Sequence, residues 1–340
     1  MKKKLLSVVI CAAMVSTLLV GCGGKTEQAA SNDQATEEAK ADEGGADKGG
    51  KLVVGFAQIG QESGWRDAET ASIQQYAAEH PDEVELKFAD AQQKQENQIK
   101  AIKSFIEQGV DVIGVAPVVE TGWDQVFAEA KDAGIPIVLV DRTADVDEDL
   151  YATFIGSDFI EEGKVAAQQM AELIGGKGKI VEIEGTVGAS AATDRKTGFD
   201  EEIAANYPDI EIVASQTGDF TRAQGKEVME SFLKSNPDIV GVYCHNDDMA
   251  LGAIEAIKEA GKKPGVDIKI VGCDGVKGAF EAMVAGEMNG TVECNPCLAE
   301  QVFDTAAKLK AGETVDKWIV SNDGVFTQAD AEAELPNRTY

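Results

Sequence analysis

The sequence has few of the residues on which most enzyme and metal sites depend. Its 340 residues include two histidines, and aromatic residues make up only 6% of the chain. Structural zinc sites need several closely spaced Cys and His ligands, which so few histidines do not supply. The G-x-S-x-G and G-x-x-x-x-G-K-[ST] signatures are absent from the chain. We therefore expect no metal, no cofactor and no enzymatic turnover.

Positive charge is also scarce. The chain has 31 Lys and Arg residues against 60 Asp and Glu residues, which gives a net charge of -29. Nucleic acids and anionic lipid surfaces attract basic proteins, so neither is expected to be the main partner. Apolar residues make up 44% of the chain. This content is normal for a globular protein, and the length fits two domains.

The N-terminus has the features of an export signal. Three lysines precede a short apolar run from Leu5 to Val20, which leads through Gly21 into Cys22. The run is too short for a comfortable transmembrane helix. Its end resembles the lipobox of bacterial lipoproteins, so we expect residues 1–21 to be a signal peptide and Cys22 to be acylated. A plain secretory signal is the alternative. Residues 22–50 lack large apolar side chains and are expected to be a disordered tether.

Apolar strands followed by polar residues recur along the body of the chain. The run from Ile135 to Val140 has no polar alternation, which is typical of a strand buried on both faces of a parallel sheet. Similar runs alternate with helical segments in two sets, before and after residue 151. This order predicts an α/β fold of two doubly wound parallel-sheet units, with an irregular tail from Trp318.

The strand ends carry residues that suit a neutral polyol. Ligands of open α/β sheets bind at the carboxyl ends of strands. Three side chains there can accept hydrogen bonds from hydroxyl groups: Asp141, Asn246 and Asp274. Three others can donate hydrogen bonds from rigid, planar guanidinium groups: Arg66, Arg142 and Arg195. Two rings in predicted loops can cover the C–H faces of a sugar: Trp65 and Phe220. Salt bridges and edge packing remain the alternatives for these residues.

The remaining chemically active side chains have ordinary structural explanations. Cys244 and Cys273 lie in predicted strands and are expected to be buried thiols. Cys294 and Cys297 have C-x-x-C spacing, and whether they form a disulfide is left open. His245 adjoins the strand-end acids, but without a matching nucleophile a polar loop role is favoured over a general base.

Several of these stretches resemble type I periplasmic sugar-binding proteins of ABC importers, over residues 51 to about 310. The resemblance is carried by Val-Asp-Arg142, Asp194-Arg195-Lys-Thr-Gly-Phe199, Gly-Asp-Phe220-Thr-Arg, His-Asn246-Asp-Asp-Met and Cys-Asp274-Gly275. The first loop reads Glu62-Ser-Gly-Trp65-Arg66. It is similar to the galactofuranose-binding branch, whereas the ribose-binding branch carries paired phenylalanines there.

The resemblance implies two lobes joined by a three-stranded hinge. The N-terminal lobe would comprise residues 51–156 plus 295–318, and the C-terminal lobe residues 157–294 plus 319–340. Ligand contact is implied for the eight strand-end and loop residues named above. Glu293 is added because the last crossing strand ends Val292-Glu293-Cys294-Asn295, where ribose binders carry a glutamine. Asn295 is the alternative to Glu293.

The resemblance also implies a role and a location. The protein would be a monomeric, lipid-anchored extracytoplasmic receptor that captures a hexose, galactofuranose or galactose, and delivers it to the membrane subunits of an ABC permease. A different sugar, such as ribose or arabinose, is one alternative. Presentation of the sugar to a sensor kinase or chemoreceptor is another. Sugar repressors share the body, but the signal segment occupies the place of their DNA-binding helices, so no nucleic-acid partner is expected.

Overall fold

The computed structural model describes residues 50–321 and 323–340. The strands are β1 Leu52–Gln58, β2 Val84–Asp90, β3 Val112–Val115, β4 Ile137–Val140, β5 Thr153–Gly156, β6 Gly178–Glu184, β7 Ile210–Thr217, β8 Gly241–Cys244, β9 Lys269–Asp274, β10 Gly290–Glu293, β11 Trp318–Val320 and β12 Val325–Thr327. The helices are α1 Gly64–Glu79, α2 Gln95–Gln108, α3 Asp124–Asp132, α4 Phe159–Ile174, α5 Ser190–Asn206, α6 Arg222–Ser235, α7 Asp247–Glu259, α8 Lys277–Val284, α9 Ala299–Lys310 and α10 Ala331–Glu334.

The strands form two six-stranded sheets. Their orders are β11-β5-β4-β3-β1-β2 and β12-β10-β9-β8-β6-β7. Every pairing is parallel except that of β12, which runs antiparallel to β10. The α/β fold with two doubly wound sheets, predicted from the alternation of strands and helices, is confirmed.

The central strands of the first sheet pack against helices on both of their faces. On one face, Val54 and Val140 join a cluster with Ile73 of α1 and Phe303 of α9. On the other face, the apolar side chains of β3 and β4 pack against α2 and α3. Burial on both faces explains why these strands are apolar runs and not alternating ones.

The chain passes between the two sheets three times. The passages follow β5, β10 and β11, and the last includes Ser321 and Asp323. Strand β11 extends to Val320, so this passage begins slightly later than the boundary expected after Trp318. The expectation of an irregular tail was wrong, because three-residue strands at both sheet edges organise it. Strands this short carry no readable alternation pattern.

Predictions about the N-terminus concern residues that the structure does not describe. The signal segment, Cys22 and nearly all of the tether lie outside residues 50–321 and 323–340. Inside those ranges, no helix combines the length and the apolar character that crossing a bilayer requires.

Candidate ligand-binding site

The carboxyl ends of both sheets place the eight strand-end and loop residues around one point. Asp141 and Arg142 directly follow β4, and Asp274 is the last residue of β9. Asn246 follows β8 and caps α7, where its side chain accepts a hydrogen bond of 2.9 Å from Met249 N. Parallel strands end at the same edge of a sheet, so the sequence pattern translates directly into proximity.

The four other residues reach the same point from helices and a loop. Trp65 and Arg66 lie in the first turn of α1, so Trp65 is helical and not in a loop as expected. The side chain of Ser63 caps this helix by accepting from Arg66 N at 3.2 Å. Arg195 projects from α5, and Phe220 precedes α6. Helices α1 and α5 and the loop before α6 therefore supply half of the set.

Together these eight residues line one cavity. The sequence did not single out four further lining residues: Glu62, Ser63, Ala191 and Cys294. Glu62 and Ser63 belong to the loop that carried the family resemblance. Nothing in the local pattern distinguishes Ala191 from an ordinary helical alanine.

The cavity is enclosed between the two sheets. The polar side chains that line it are buried, with only 1–4% of Asn246, Arg66, Arg142, Arg195, Asp141 and Asp274 exposed. Hydrogen bonds join the two sides: Gly64 N donates to Asp248 at 2.7 Å, and Thr143 N donates to the hydroxyl of Ser190 at 2.9 Å. The structure is therefore a closed form of the cleft.

Arg66 is held by three carboxylates. Its Nε lies 3.3 Å from Glu62, and its two terminal nitrogens donate to Glu69 and Asp141. Burial alone would lower the pKa of Arg66, but attraction to these three carboxylates outweighs it and raises the pKa. Burial raises the pKa of Glu69, and Arg66 opposes that rise. The arginine is therefore fixed in orientation before any ligand binds.

Arg142 shares Glu62 with Arg66 and faces a ring. Its Nη2 lies 2.6 Å from Glu62, and its guanidinium carbon is 5.1 Å from the centre of the Phe220 ring. Burial lowers the pKa of Arg142, with Glu62 opposing and Arg66 adding to the decrease. Its Nε has no hydrogen-bond partner. A buried donor without a partner is costly, so Nε is available to a ligand oxygen.

Arg195 is positioned by groups of the second sheet. Its Nε donates to Glu162 at 2.6 Å, and its Nη1 donates to the carbonyl of His245 at 2.7 Å. Its Nη2 lies 3.6 Å from Asp274. Burial raises the pKa of Glu162 to about 7, although Arg195 opposes the rise. Burial also raises the pKa of Asp274, again against the attraction of Arg195.

Three lining residues have left-handed backbone. The φ angles are 63° at Asp141, 58° at Phe220 and 115° at Asp274. Such conformations are uncommon for residues other than glycine and collect at functional sites. They turn these side chains towards the cavity at the point where each strand or loop ends.

Glu293 is not among the residues that line the cavity. Its carboxylate bonds to Arg338, to the hydroxyl of Tyr340 at 3.1 Å and to Gly324 N at 2.8 Å. The side chain therefore faces the C-terminal segment and not the cavity. The side chain of Asn295, the alternative, accepts from Cys297 N at 2.9 Å.

His245 lies in the loop between β8 and α7 and is buried. One ring nitrogen accepts from Gly185 N at 3.2 Å, and the other lies 2.9 Å from Glu182. Cys244 and Cys273 are buried thiols, as expected. Cys294 and Cys297 are also free thiols, the first buried and the second exposed.

Equal numbers of arginines and carboxylates line the cavity. The three lining arginines face the carboxylates of Glu62, Asp141 and Asp274, while Glu69 and Glu162 lie behind them. Within residues 50–321 and 323–340, no cluster of His, Cys, Asp and Glu side chains is arranged to hold a metal ion. A lining of donors, acceptors and two aromatic rings, with as many arginines as carboxylates, suits a small neutral molecule that carries several hydroxyl groups.

Comparisons with known proteins point to one family. A family model described as periplasmic binding protein domain matches residues 54–314. The galactofuranose-binding protein YtfQ of Escherichia coli strain K12 is 50% identical over 293 residues, which cover 84% of this chain and 91% of that protein.

Two solved structures share the fold. A Mycobacterium smegmatis protein in complex with β-D-fucofuranose is 56% identical, with a TM-score of 0.82, and the match covers 85% of this chain and 95% of that chain. The periplasmic binding protein component of the arabinose ABC transporter from Shewanella sp. ANA-3, bound to α- and β-L-arabinofuranose, is 52% identical, with a TM-score of 0.81. That match covers 84% of this chain and 95% of the Shewanella chain.

Proposed function

This chain belongs to the periplasmic binding protein family, and from that premise we propose that it captures a monosaccharide in its five-membered furanose form and delivers it to an ABC permease. It is a binding protein and not an enzyme, and its family acts outside the cytoplasm. The observation that carries the proposal is the enclosed cavity, in which three arginines are matched by carboxylates and two rings complete the lining.

The balance of charge favours a neutral sugar over a sugar acid or a sugar phosphate. An anionic ligand would bring its charge beside Glu62, Asp141 and Asp274 in a site from which water is largely excluded. A neutral polyol instead donates hydroxyl hydrogens to these carboxylates and accepts from the arginine forks. The faces of Trp65 and Phe220 are suited to its C–H groups.

The furanose form is supported by the ligands named for similar proteins. Those names give galactofuranose, β-D-fucofuranose and L-arabinofuranose, which are all five-membered rings. The three sugars differ in the arm attached to the ring: a dihydroxyethyl group, the same arm ending in methyl, and a hydroxymethyl group. Galactofuranose, the sugar named for the E. coli relative, is the proposed ligand.

Capture occurs by closure of two lobes about the three passages. The strand pairing supports one lobe of residues 51–156 plus 295–320 and a second of residues 157–294 plus the chain from Asp323. Both lobes supply polar contacts to the cavity, so the ligand binds the closed form more tightly than the open one. Eight of the nine expected ligand contacts are kept in this proposal. Glu293 is left out because its carboxylate bonds to Gly324, Arg338 and Tyr340.

Calorimetric titration with ring-locked sugars tests the ligand class. The compounds 1,4-anhydrogalactitol and 1,5-anhydrogalactitol keep the five- and six-membered rings respectively and cannot interconvert. We expect the five-membered compound to bind at least about tenfold more tightly. Equal binding, or preference for the six-membered ring, would contradict the furanose proposal. Titration with free D-galactose, D-fucose, L-arabinose and D-ribose shows which group attached to the ring is preferred. Each sugar should be recovered chemically unchanged.

Anchoring through an acylated Cys22 is part of the same proposal. It is supported by the lysine-rich start, the short apolar run and the position of the cysteine. Cys22→Ser should move the protein from the membrane fraction to the soluble fraction. Unchanged partition would mean that the chain is held by something other than a lipid on this residue.

A further inference from the structure

Residues 338 and 340 contact the start of the passage that follows β10. Arg338 and Tyr340, here called the C-terminal clasp, both bond to Glu293, the last residue of that strand. The guanidinium of Arg338 lies between two rings, 4.4 Å from the centre of Phe280 and 4.3 Å from the centre of Phe326. Both arginine and glutamate are largely buried, so this ion pair is shielded from water.

The main chain of Tyr340 is fixed as well. Its carbonyl accepts a hydrogen bond of 2.6 Å from Lys277 N, at the start of α8. The clasp is therefore attached to the second sheet and its helices at two points. Glu293 is thereby held against that body by a side chain that does not line the cavity.

Glu293 also joins two of the three passages. Its backbone N–H donates to the carbonyl of Gly324 at 2.8 Å, and its carboxylate accepts from Gly324 N at the same distance. Two residues further on, Asn295 N donates to Asp323 at 2.9 Å. The passages after β10 and β11 thus move as one unit while Glu293 is held.

The neighbour of Glu293 connects this unit to the cavity. Cys294 lines the cavity, and its carbonyl accepts from the indole nitrogen of Trp65 at 2.5 Å. Its sulfur lies 3.3 Å from the hydroxyl of Ser157, which is 2.7 Å from that of Ser321. All three passages therefore meet beside the ring of Trp65, which lines the cavity.

From these contacts we propose that the C-terminal clasp positions the hinge and sets the balance between the open and closed forms, through Glu293 and without touching the sugar. When the clasp is released, the β10 passage moves independently of the second lobe. The carbonyl of Cys294 then no longer anchors Trp65, and the closed form loses population. Sugar affinity falls with it, because only the closed form makes both sets of contacts.

The test compares Arg338→Met and Tyr340→Phe in the full chain. The methionine keeps an apolar side chain between the two rings and removes the ion pair, whereas the phenylalanine removes only the hydroxyl contact. Lys310→Met is the matched control, because it breaks a similarly buried ion pair with Asp111 at 3.0 Å, in the first lobe and away from the passages. The measurements are affinity for 1,4-anhydrogalactitol, thermal midpoint, and radius of gyration with and without the sugar by small-angle X-ray scattering.

We expect Arg338→Met to weaken binding about tenfold and Tyr340→Phe about threefold. At the sugar concentration that half-saturates the wild type, both variants should have a larger radius of gyration than the wild type. Lys310→Met should lower the thermal midpoint and leave affinity and size unchanged.

A purely structural clasp predicts a different result. Arg338→Met would then lower the thermal midpoint as Lys310→Met does, with affinity within about twofold of the wild type and unchanged scattering, and the proposal would be overturned. If Arg338→Met does not fold, the same comparison for Tyr340→Phe decides. The proposal rests on ligand-driven closure. Failure of the wild type to bind any sugar would refute the proposed function. The clasp would still be tested by comparing the radius of gyration of the ligand-free variants with that of the ligand-free wild type, and equal radii would overturn it.

Discussion

Replacing Arg66 with lysine tests whether the cavity depends on the forked geometry of its arginines. The guanidinium donates from three nitrogens to three different carboxylates, those of Glu62, Glu69 and Asp141. Lysine keeps the positive charge, so the buried carboxylates are not left without a counter-ion. Its single nitrogen on a shorter side chain cannot span all three partners and a ligand hydroxyl as well.

The structure sets the size of the expected effect. Only 2% of Arg66 is exposed, so a lost contact is not replaced by bulk water. One hydrogen bond to a charged group contributes about 1.5–3 kcal/mol, which corresponds to roughly 10- to 150-fold weaker sugar binding. The ligand-free protein should also be less stable, since Glu69 and Asp141 share a poorer donor. Its thermal midpoint should fall by roughly 3–12 °C.

Calorimetric titration and a thermal scan measure the two effects. Lys103→Met is the control, because Lys103 forms an exposed pair with Glu129 and should change neither quantity appreciably. A shift in affinity of less than about threefold for Arg66→Lys would refute the reasoning. It would mean that the fork serves only to pair carboxylates and makes no directed contact with the ligand.

Two further substitutions probe the pH dependence and the shape of the site. Burial raises the pKa of Glu162 to about 7, so the folded protein keeps a proton that the unfolded chain releases above its ordinary pKa of 4.5. This stability is present at low pH and is lost as pH rises through 7, by about 3 kcal/mol. Urea unfolding of Glu162→Gln should lack this decline, and parallel pH curves for the two proteins would contradict it. A methyl group at Gly185 would lie 2.0 Å from the Phe220 ring, so Gly185→Ala should displace the ring and weaken sugar binding in titrations. Gly312→Ala is the control, because Gly312 has a φ of +78° and no close neighbour, so the substitution should lower stability without changing affinity. Equal sugar affinities of the two variants would exclude a role for the Phe220 ring in binding.

The architecture and the cavity were largely readable from the sequence because both depend on local patterns. The apolar run before Asp141 is a strand buried on both faces, and its polar end follows from the common direction of parallel strands. The same rule placed Asn246 and Asp274 at the cavity. The position of each of these residues could be predicted once the strand next to it had been identified correctly.

Long-range contacts explain what the sequence did not provide. Glu293 was expected at the ligand, but its partners Arg338 and Tyr340 lie about 45 positions away in a tail without a clear pattern. The helical position of Trp65 depends on the cap formed by Ser63, and closure depends on contacts such as Gly64 with Asp248. No periodicity reports pairs of this kind.

The left-handed backbone at Asp141, Phe220 and Asp274 affects how the protein would respond to directed evolution. Each such conformation costs on the order of 1–3 kcal/mol, and glycine adopts it with little strain. Selection for heat resistance alone would therefore favour glycine at these three positions and would delete side chains that line the cavity. Stability and ligand capture compete at the same three residues, so a library built on this chain must be screened for both properties.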